Sequence, residues 1–235
     1  MKLIKDIYNM NLNDKNSDDY NEYFNLQSGR SGIGMNHNQI LWDLTKIIPA
    51  EGVPEVKLNF ELADDDFILD AGCRDGKPIN DFHKLGYRNT YGFDIGDKAE
   101  KLWDKNIEKE IRDFLFKWDA HDKIDRFGDT KFKLITSSHL IEHCFDPKKV
   151  LNNLYELLSD DGLLHTQFPF QNYEEWKVRD HKPHYSYWED QKDWRDFLSD
   201  NGFTVIWEFK EWRVPHEEES RTFAVKTKNL ESMTL

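Results

Sequence analysis

Asp70-Ala71-Gly72-Cys73-Arg74-Asp75-Gly76 follows directly on the apolar run Phe67-Ile68-Leu69. An apolar strand that ends in glycines lets a ligand come close to the backbone, because glycine has no Cβ and tolerates positive φ. Asp94 closes a second apolar run, Thr90-Tyr91-Gly92-Phe93. It follows the glycines at the interval where a carboxylate accepts hydrogen bonds from the ribose hydroxyls of a nucleotide. Trp118-Asp119-Ala120-His121 comes next, and then Ser137-Ser138-His139-Leu140-Ile141-Glu142-His143-Cys144-Phe145-Asp146-Pro147. In that last segment Asp146 and Pro147 read as a helix N-cap and first helical residue. Helical or strand patterning gives no reason for His139 or His143. Imidazole titrates near neutrality, so both are candidates for moving a proton.

The glycine loop separates competing cofactors. A dinucleotide fingerprint needs GxGxxG, but counting from Gly72 the second and third glycine positions hold Arg74 and Lys77. A Walker A loop is excluded by the lack of a suitable Gly-Lys-Ser/Thr. A second histidine cluster lies in Arg179-Asp180-His181-Lys182-Pro183-His184-Tyr185-Ser186-Tyr187-Trp188. Pro183 opposes the helix that would put His181 and His184 on one face, and no third ligand is evident, so no metal is expected.

These residues need elements to hold them. Strands are expected at 67–72, 90–95, 133–138 and 162–168, with a weaker one at 114–118. Val150, Leu151, Leu154, Leu157 and Leu158 form one helical face, which the Asp161-Gly162 turn should end. Trp194, Phe197 and Leu198 stripe another helix, closed by Asn201-Gly202. Strands alternating with helices imply a parallel sheet covered on both faces. Two strands at 203–209 and 222–227, with no helix between them, suggest a terminal hairpin. Near the N-terminus, residues 11–22 read as a solvated Asn/Asp-rich arm. Ile40, Leu41, Leu44, Ile47 and Ile48 then mark an amphipathic helix, stopped by Pro49, Gly52 and Pro54.

The 235 residues carry a formal charge of −13, with 38% hydrophobic and 33% charged residues. That balance suits a soluble globular chain and argues against a general nucleic-acid binder, which needs a basic face. Cys73 and Cys144 make neither a disulfide framework nor a zinc spacing, and fit a reduced, cytoplasmic setting. No apolar run approaches membrane-spanning length, and no signal peptide is evident.

The acidic residue followed by Gly-x-x-x-Gly, Asp94, the Asp119-Ala120 pair and the IEHxxDP string together resemble class I S-adenosylmethionine-dependent methyltransferases of the small-molecule type. The resemblance covers about 67–228. It implies an α/β fold with a seven-stranded, mostly parallel sheet, helices on both faces and an antiparallel last strand added at the sheet edge. It implies S-adenosyl-L-methionine as cofactor and S-adenosyl-L-homocysteine as product. Asp70, Gly72, Cys73, Arg74 and Gly76 would surround the amino-acid end of the cofactor, Asp94 and Ile95 the ribose, and Asp119 and Ala120 the adenine, with Ser137 alongside. The family usually has glycine where this chain has Arg74.

The expected division is an arm and lid helix at 1–66, a methyltransferase domain at 67–228 and a tail at 229–235. Arg30, in a Gly/Ser-rich loop, could reach the cofactor carboxylate. His143 and His139 are the catalytic candidates, and His181, His184 and Tyr185 the acceptor-binding ones. The expected partner is a small polar acceptor methylated on oxygen or nitrogen, without nucleic acid or membrane. Amino-methylating DNA enzymes carry an Asn/Asp-Pro-Pro-Tyr/Phe tetrapeptide where this chain has Ser137-Ser138-His139-Leu140. The alternative is a non-catalytic binding protein that kept the fold, and Arg74 is the residue that favours it.

Overall fold

The computed structural model describes residues 2–3, 15–17, 60–170, 184–214 and 217–230. A central sheet is built from β2 (Phe67–Ala71), β3 (Asn89–Asp94), β4 (Leu115–Lys117), β5 (Phe132–Ser138), β6 (Leu158–Pro169), β8 (Phe203–Val214) and β9 (Glu217–Lys226). Its strands run in the order β4-β3-β2-β5-β6-β9-β8. A separate two-stranded ribbon pairs β1 (Lys2–Leu3) with β7 (Ser186–Tyr187). Four α-helices are described: α1 (Lys77–Lys84), α2 (Asp97–Asn106), α3 (Pro147–Leu157) and α4 (Gln191–Asp200).

Successive residues of the central strands enter opposite layers, as the pleat requires. Leu69, Ile135 and Leu164 join the core beneath α3 and α4, while Ile68, Leu134 and Leu163 join a second cluster with Phe82 and Phe223. The apolar stripe of α3 is buried at Val150, Leu151, Leu154 and Leu157, each contributing about 1.5–3 kcal/mol of burial. Its start is the expected cap: Asp146 Oδ1 accepts the Lys149 N–H at 3.0 Å, and Pro147 needs no hydrogen-bond partner.

The seven-stranded sheet and its antiparallel last strand agree with expectation, as do the terminal hairpin and the short fifth element at β4. Two details differ. The last strand, β9, is not at the edge: it lies between β6 and β8, antiparallel to both. Asp161-Gly162 is not a turn ending a helix but part of β6, where pairing with β5 shifts register between Phe132 and Leu134. Leu158 already pairs with Phe132, so the strand continues through the Asp-Gly step as an irregularity. The helix expected through Ile40, Leu41, Leu44, Ile47 and Ile48 lies outside the described residues.

Candidate functional site

In open α/β sheets a crevice forms where neighbouring strands send their connections in opposite directions, outside their carboxyl ends. Here that place lies between β2 and β5, since β3 and β4 extend one way and β6 the other. The loop after β2 is held in left-handed turns at Gly72 (φ 78°), Arg74 (φ 49°) and Gly76 (φ 72°). Gly72 and Cys73 both donate to the Phe93 carbonyl at 2.9 Å, which ties the loop to β3. A Cβ on Gly72 would lie 3.1 Å from the Leu140 Cβ, so the loops after β2 and β5 meet across this glycine.

Asp94 organises the same loop from the end of β3. Its Oδ2 accepts the Arg74 N–H at 3.0 Å and its Oδ1 the Gly96 N–H at 2.9 Å. Burial pushes its carboxyl up, and the amides of Gly96 and Arg74 pull the other way. Asp70, inside β2, accepts from the Thr136 Oγ at 2.7 Å. Burial pushes Asp70 up to about 7, against the Thr136 hydrogen bond and with help from the charges of Asp94 and Asp75.

The Cys73 side chain belongs to the core with Ile79 and Trp103. Burial raises its thiol pKa well above the usual value. The Arg74 carbonyl accepts from the Trp103 indole at 2.5 Å, while its Nε is buried without a hydrogen-bond partner. Burial lowers the guanidinium's pKa, opposed by the charges of Asp75 and Asp94. Ile95 is partly buried beside Asp94.

After β4, Asp119 accepts from the His121 backbone N–H at 2.9 Å, and its Oδ1 lies 2.7 Å from His121 Nδ1. The His121 Nε2 accepts the Asp146 N–H at 3.3 Å, so Nδ1 carries the proton that Asp119 receives. His121 stacks on Phe145 at 3.8 Å, and the Ala120 carbonyl accepts from Asn153 at 2.8 Å. The loop after β4 is thus pegged to α3 and its N-cap. Lys15 pairs with Asp122 and approaches Asp119 to 3.9 Å.

At the end of β5, Ser137 Oγ is buried without a hydrogen-bond partner. His139 has a positive φ of 53° and lies between two carboxylates. Its Nδ1 is 3.1 Å from Glu142 Oε1 and its Nε2 3.3 Å from Glu219 Oε1. Burial alone would lower its pKa, but hydrogen bonds and charge from Glu142 and Glu219 prevail and raise it to about 9. An imidazole that holds its proton at neutral pH is a fixed cation, poorly suited to accept another proton. His143, in the 3₁₀ turn Ile141–His143, packs its ring 4.5 Å from that of His184. His184 is only 4% exposed, and the following Tyr185 N–H donates to the Glu142 carbonyl at 2.8 Å. Arg30 and His181 lie outside the described residues.

The model of the methyltransferase domain family matches residues 50–208. The chain belongs to that family. It is a class I S-adenosylmethionine-dependent methyltransferase. No curated protein sequence matches the chain.

Among solved structures, it is similar in fold to magnesium protoporphyrin IX methyltransferase from Synechocystis PCC 6803, a structure with bound S-adenosylhomocysteine. That match has 15% identity and a TM-score of 0.57, over 90% of this chain and 96% of that one. A SAM-dependent methyltransferase from Aquifex aeolicus matches at 15% identity and TM-score 0.57, over 80% of this chain and 88% of that one. One from Methanosarcina mazei matches at 16% identity and TM-score 0.54, over 70% and 94%. At such identities these likenesses bear on the fold alone. No helix among the described residues is long and apolar enough to cross a membrane.

Sequence patterning did not single out Glu142, Gln167 or Glu219 in this methyltransferase. Glu142 stood inside the IEH string, flanked by more conspicuous histidines. Gln167 Nε2 donates to Glu219 Oε2 at 2.6 Å, and the Gln167 carbonyl accepts the His139 N–H at 2.8 Å. Glu219 sits in an acidic run that reads as a solvated face, and no local signal marks it.

Proposed function

We propose that this methyltransferase moves a methyl group from S-adenosylmethionine to an oxygen or nitrogen of a small, polar acceptor. The observation that carries this reading is the junction of the loops after β2 and β5 at Gly72 and Leu140, braced by Asp94. It makes a backbone-lined cradle at the crevice where this sheet type takes its ligands. The residues fit the cofactor. Asp75 and Asp94 place carboxylates beside a loop that would receive a sulfonium and an ammonium. Arg74 Nε and Ser137 Oγ are buried polar atoms awaiting a partner, and the cofactor's carboxylate suits the first.

When bound, S-adenosylmethionine supplies an electrophilic methyl on a positively charged sulfur. The chain's part is then mostly alignment, since an in-line displacement needs the acceptor atom placed opposite the sulfur. Asp94 would hold the ribose, and Asp119 with the Ala120 amide the adenine. His143 would accept the acceptor's proton, leaving its oxygen or nitrogen free to receive the methyl. His184 and Tyr185 would form the acceptor wall beside it. Arg30, His181 and the lid over 1–66 complete the proposal, with the catalytic unit over 67–228. A reducing, cytoplasmic setting suits Cys73 and Cys144, both buried free thiols.

The test is incubation with methyl-labelled S-adenosylmethionine and a panel of small alcohols, phenols, carboxylates and amines. Label should pass to a small molecule. Cofactor binding with no transfer to any member, nor to any compound of a metabolite extract, would favour a binding protein that kept the fold.

A further inference from the structure

Glu142, His143 and His184 each offer a ligand atom, and all these atoms lie within 4.8 Å of one another. We propose that they form a binding site for one divalent transition-metal ion such as Zn²⁺, Fe²⁺ or Co²⁺, at the acceptor side of the crevice. Two imidazoles and one carboxylate are the donor set such ions prefer over Mg²⁺ or Ca²⁺, and three protein ligands leave positions open for an acceptor oxygen or water.

Three observations support the site. Glu142 is 1% exposed, and its Oε2 is buried without a hydrogen-bond partner. A buried carboxylate oxygen without a partner is costly, and coordination would remove that cost. The other oxygen, Oε1, is 3.1 Å from His139 Nδ1 and 4.0 Å from His143 Nε2, so the carboxylate stands against the imidazoles with Oε2 still unsatisfied. The backbone already holds the ligands together. Tyr185 N–H donates to the Glu142 carbonyl at 2.8 Å, Ser186 Oγ to the Cys144 carbonyl at 3.4 Å, and β7 is clamped by β1. Bound ligand atoms would stand roughly 3–4 Å apart, from metal–ligand distances of about 2.0–2.2 Å. Small ring and carboxylate rotations close the difference.

The site was hidden from sequence because His184 pairs with His143, 41 positions away, and not with His181. The function of the ion rests on the methyl-transfer reading, but its binding does not. In the metal-free protein His143 remains the proton acceptor. In the loaded protein its lone pair is occupied, and the ion would polarise an acceptor oxygen directly.

The experiment is titration of the chelator-stripped full chain with Co²⁺, followed by visible absorbance, without cofactor or acceptor. One equivalent should bind saturably, and Zn²⁺ should displace it. His143→Ala and His184→Ala, each checked for folding by circular dichroism, should weaken binding about 100-fold or more, beyond the 10–100-fold typical of losing a supporting contact. If a variant misfolds, paramagnetic shifts from Co²⁺ on the His143 and His184 imidazoles of the unmodified protein decide the matter. No saturable binding, binding undiminished in both folded variants, or shifts on other histidines only would overturn the site. Since S-adenosylmethionine binding is measured separately, failure here would leave the cofactor reading standing, and the reverse.

Discussion

Glu219 on β9 reaches His139 at the end of β5, Oε1 to Nε2 at 3.3 Å. With Glu142 on the other nitrogen, the ring joins the last strand to the loop after β5. A pKa raised to about 9 means the folded state holds this proton more tightly than the unfolded chain, whose histidine titrates near 6.5. The stabilisation is therefore fully present below about pH 6.5 and lost as pH rises through about 9. Long-range ¹H–¹⁵N spectra should show His139 as imidazolium at pH 8. A neutral ring there would contradict the ion-pair geometry.

Asp70 carries the same sign of linkage for a different reason. Burial raises it to about 7, so the folded protein keeps a proton that the unfolded chain releases near 3.8. Its contribution is complete below about pH 4 and fades as pH rises through 7. Asp70→Asn should flatten that part of the stability–pH curve, as read by thermal unfolding at several pH values. An unchanged slope would mean that Asp70 is ionised throughout.

Gly72 joins two loops, and substitution there acts through backbone and packing together. At φ 78° a side chain is strained whatever the space, and its Cβ would crowd Leu140 at 3.1 Å. Gly72→Ala should cost about 1–3 kcal/mol of stability from the left-handed backbone, besides weakening the cofactor. Adding Leu140→Gly, which removes the Cβ that the new methyl would meet, should relieve the crowding but not the backbone strain. Denaturant unfolding of the single and double variants separates the two; full recovery in the double variant would remove the backbone argument.

How much of this was legible in the sequence depends on whether a signal was local. The Asp146-Pro147 cap and the apolar stripe of α3 were readable, because a cap and a helical face are fixed by neighbours in the chain. Asp161-Gly162 misled, since pairing between β5 and β6 outweighs the turn preference of two residues. The hairpin of β8 and β9 was readable, but not that β9 sits inside β8, because alternation within a strand does not name its neighbour. The place of Asp94 at the end of β3 was legible from spacing. Glu219 and the meeting of His143 with His184 were not, since each depends on segments brought together only by the folded chain.

His143→Ala should lower turnover about 10²–10⁴-fold if the imidazole is the base, with cofactor affinity nearly unchanged. The pH–rate profile should lose its low-pH limb in the variant. Identical profiles and rates would return His143 to a packing role beside His184.

Calorimetric titration of the purified chain tests most directly whether the braced loop after β2 binds S-adenosylmethionine. One site is predicted for S-adenosylmethionine or S-adenosylhomocysteine. Asp94→Ala should weaken it by about 1–3 kcal/mol, because the variant loses a charged acceptor for the ribose and the anchor of Arg74 and Gly96. Absence of binding by the folded protein at millimolar ligand would contradict the account.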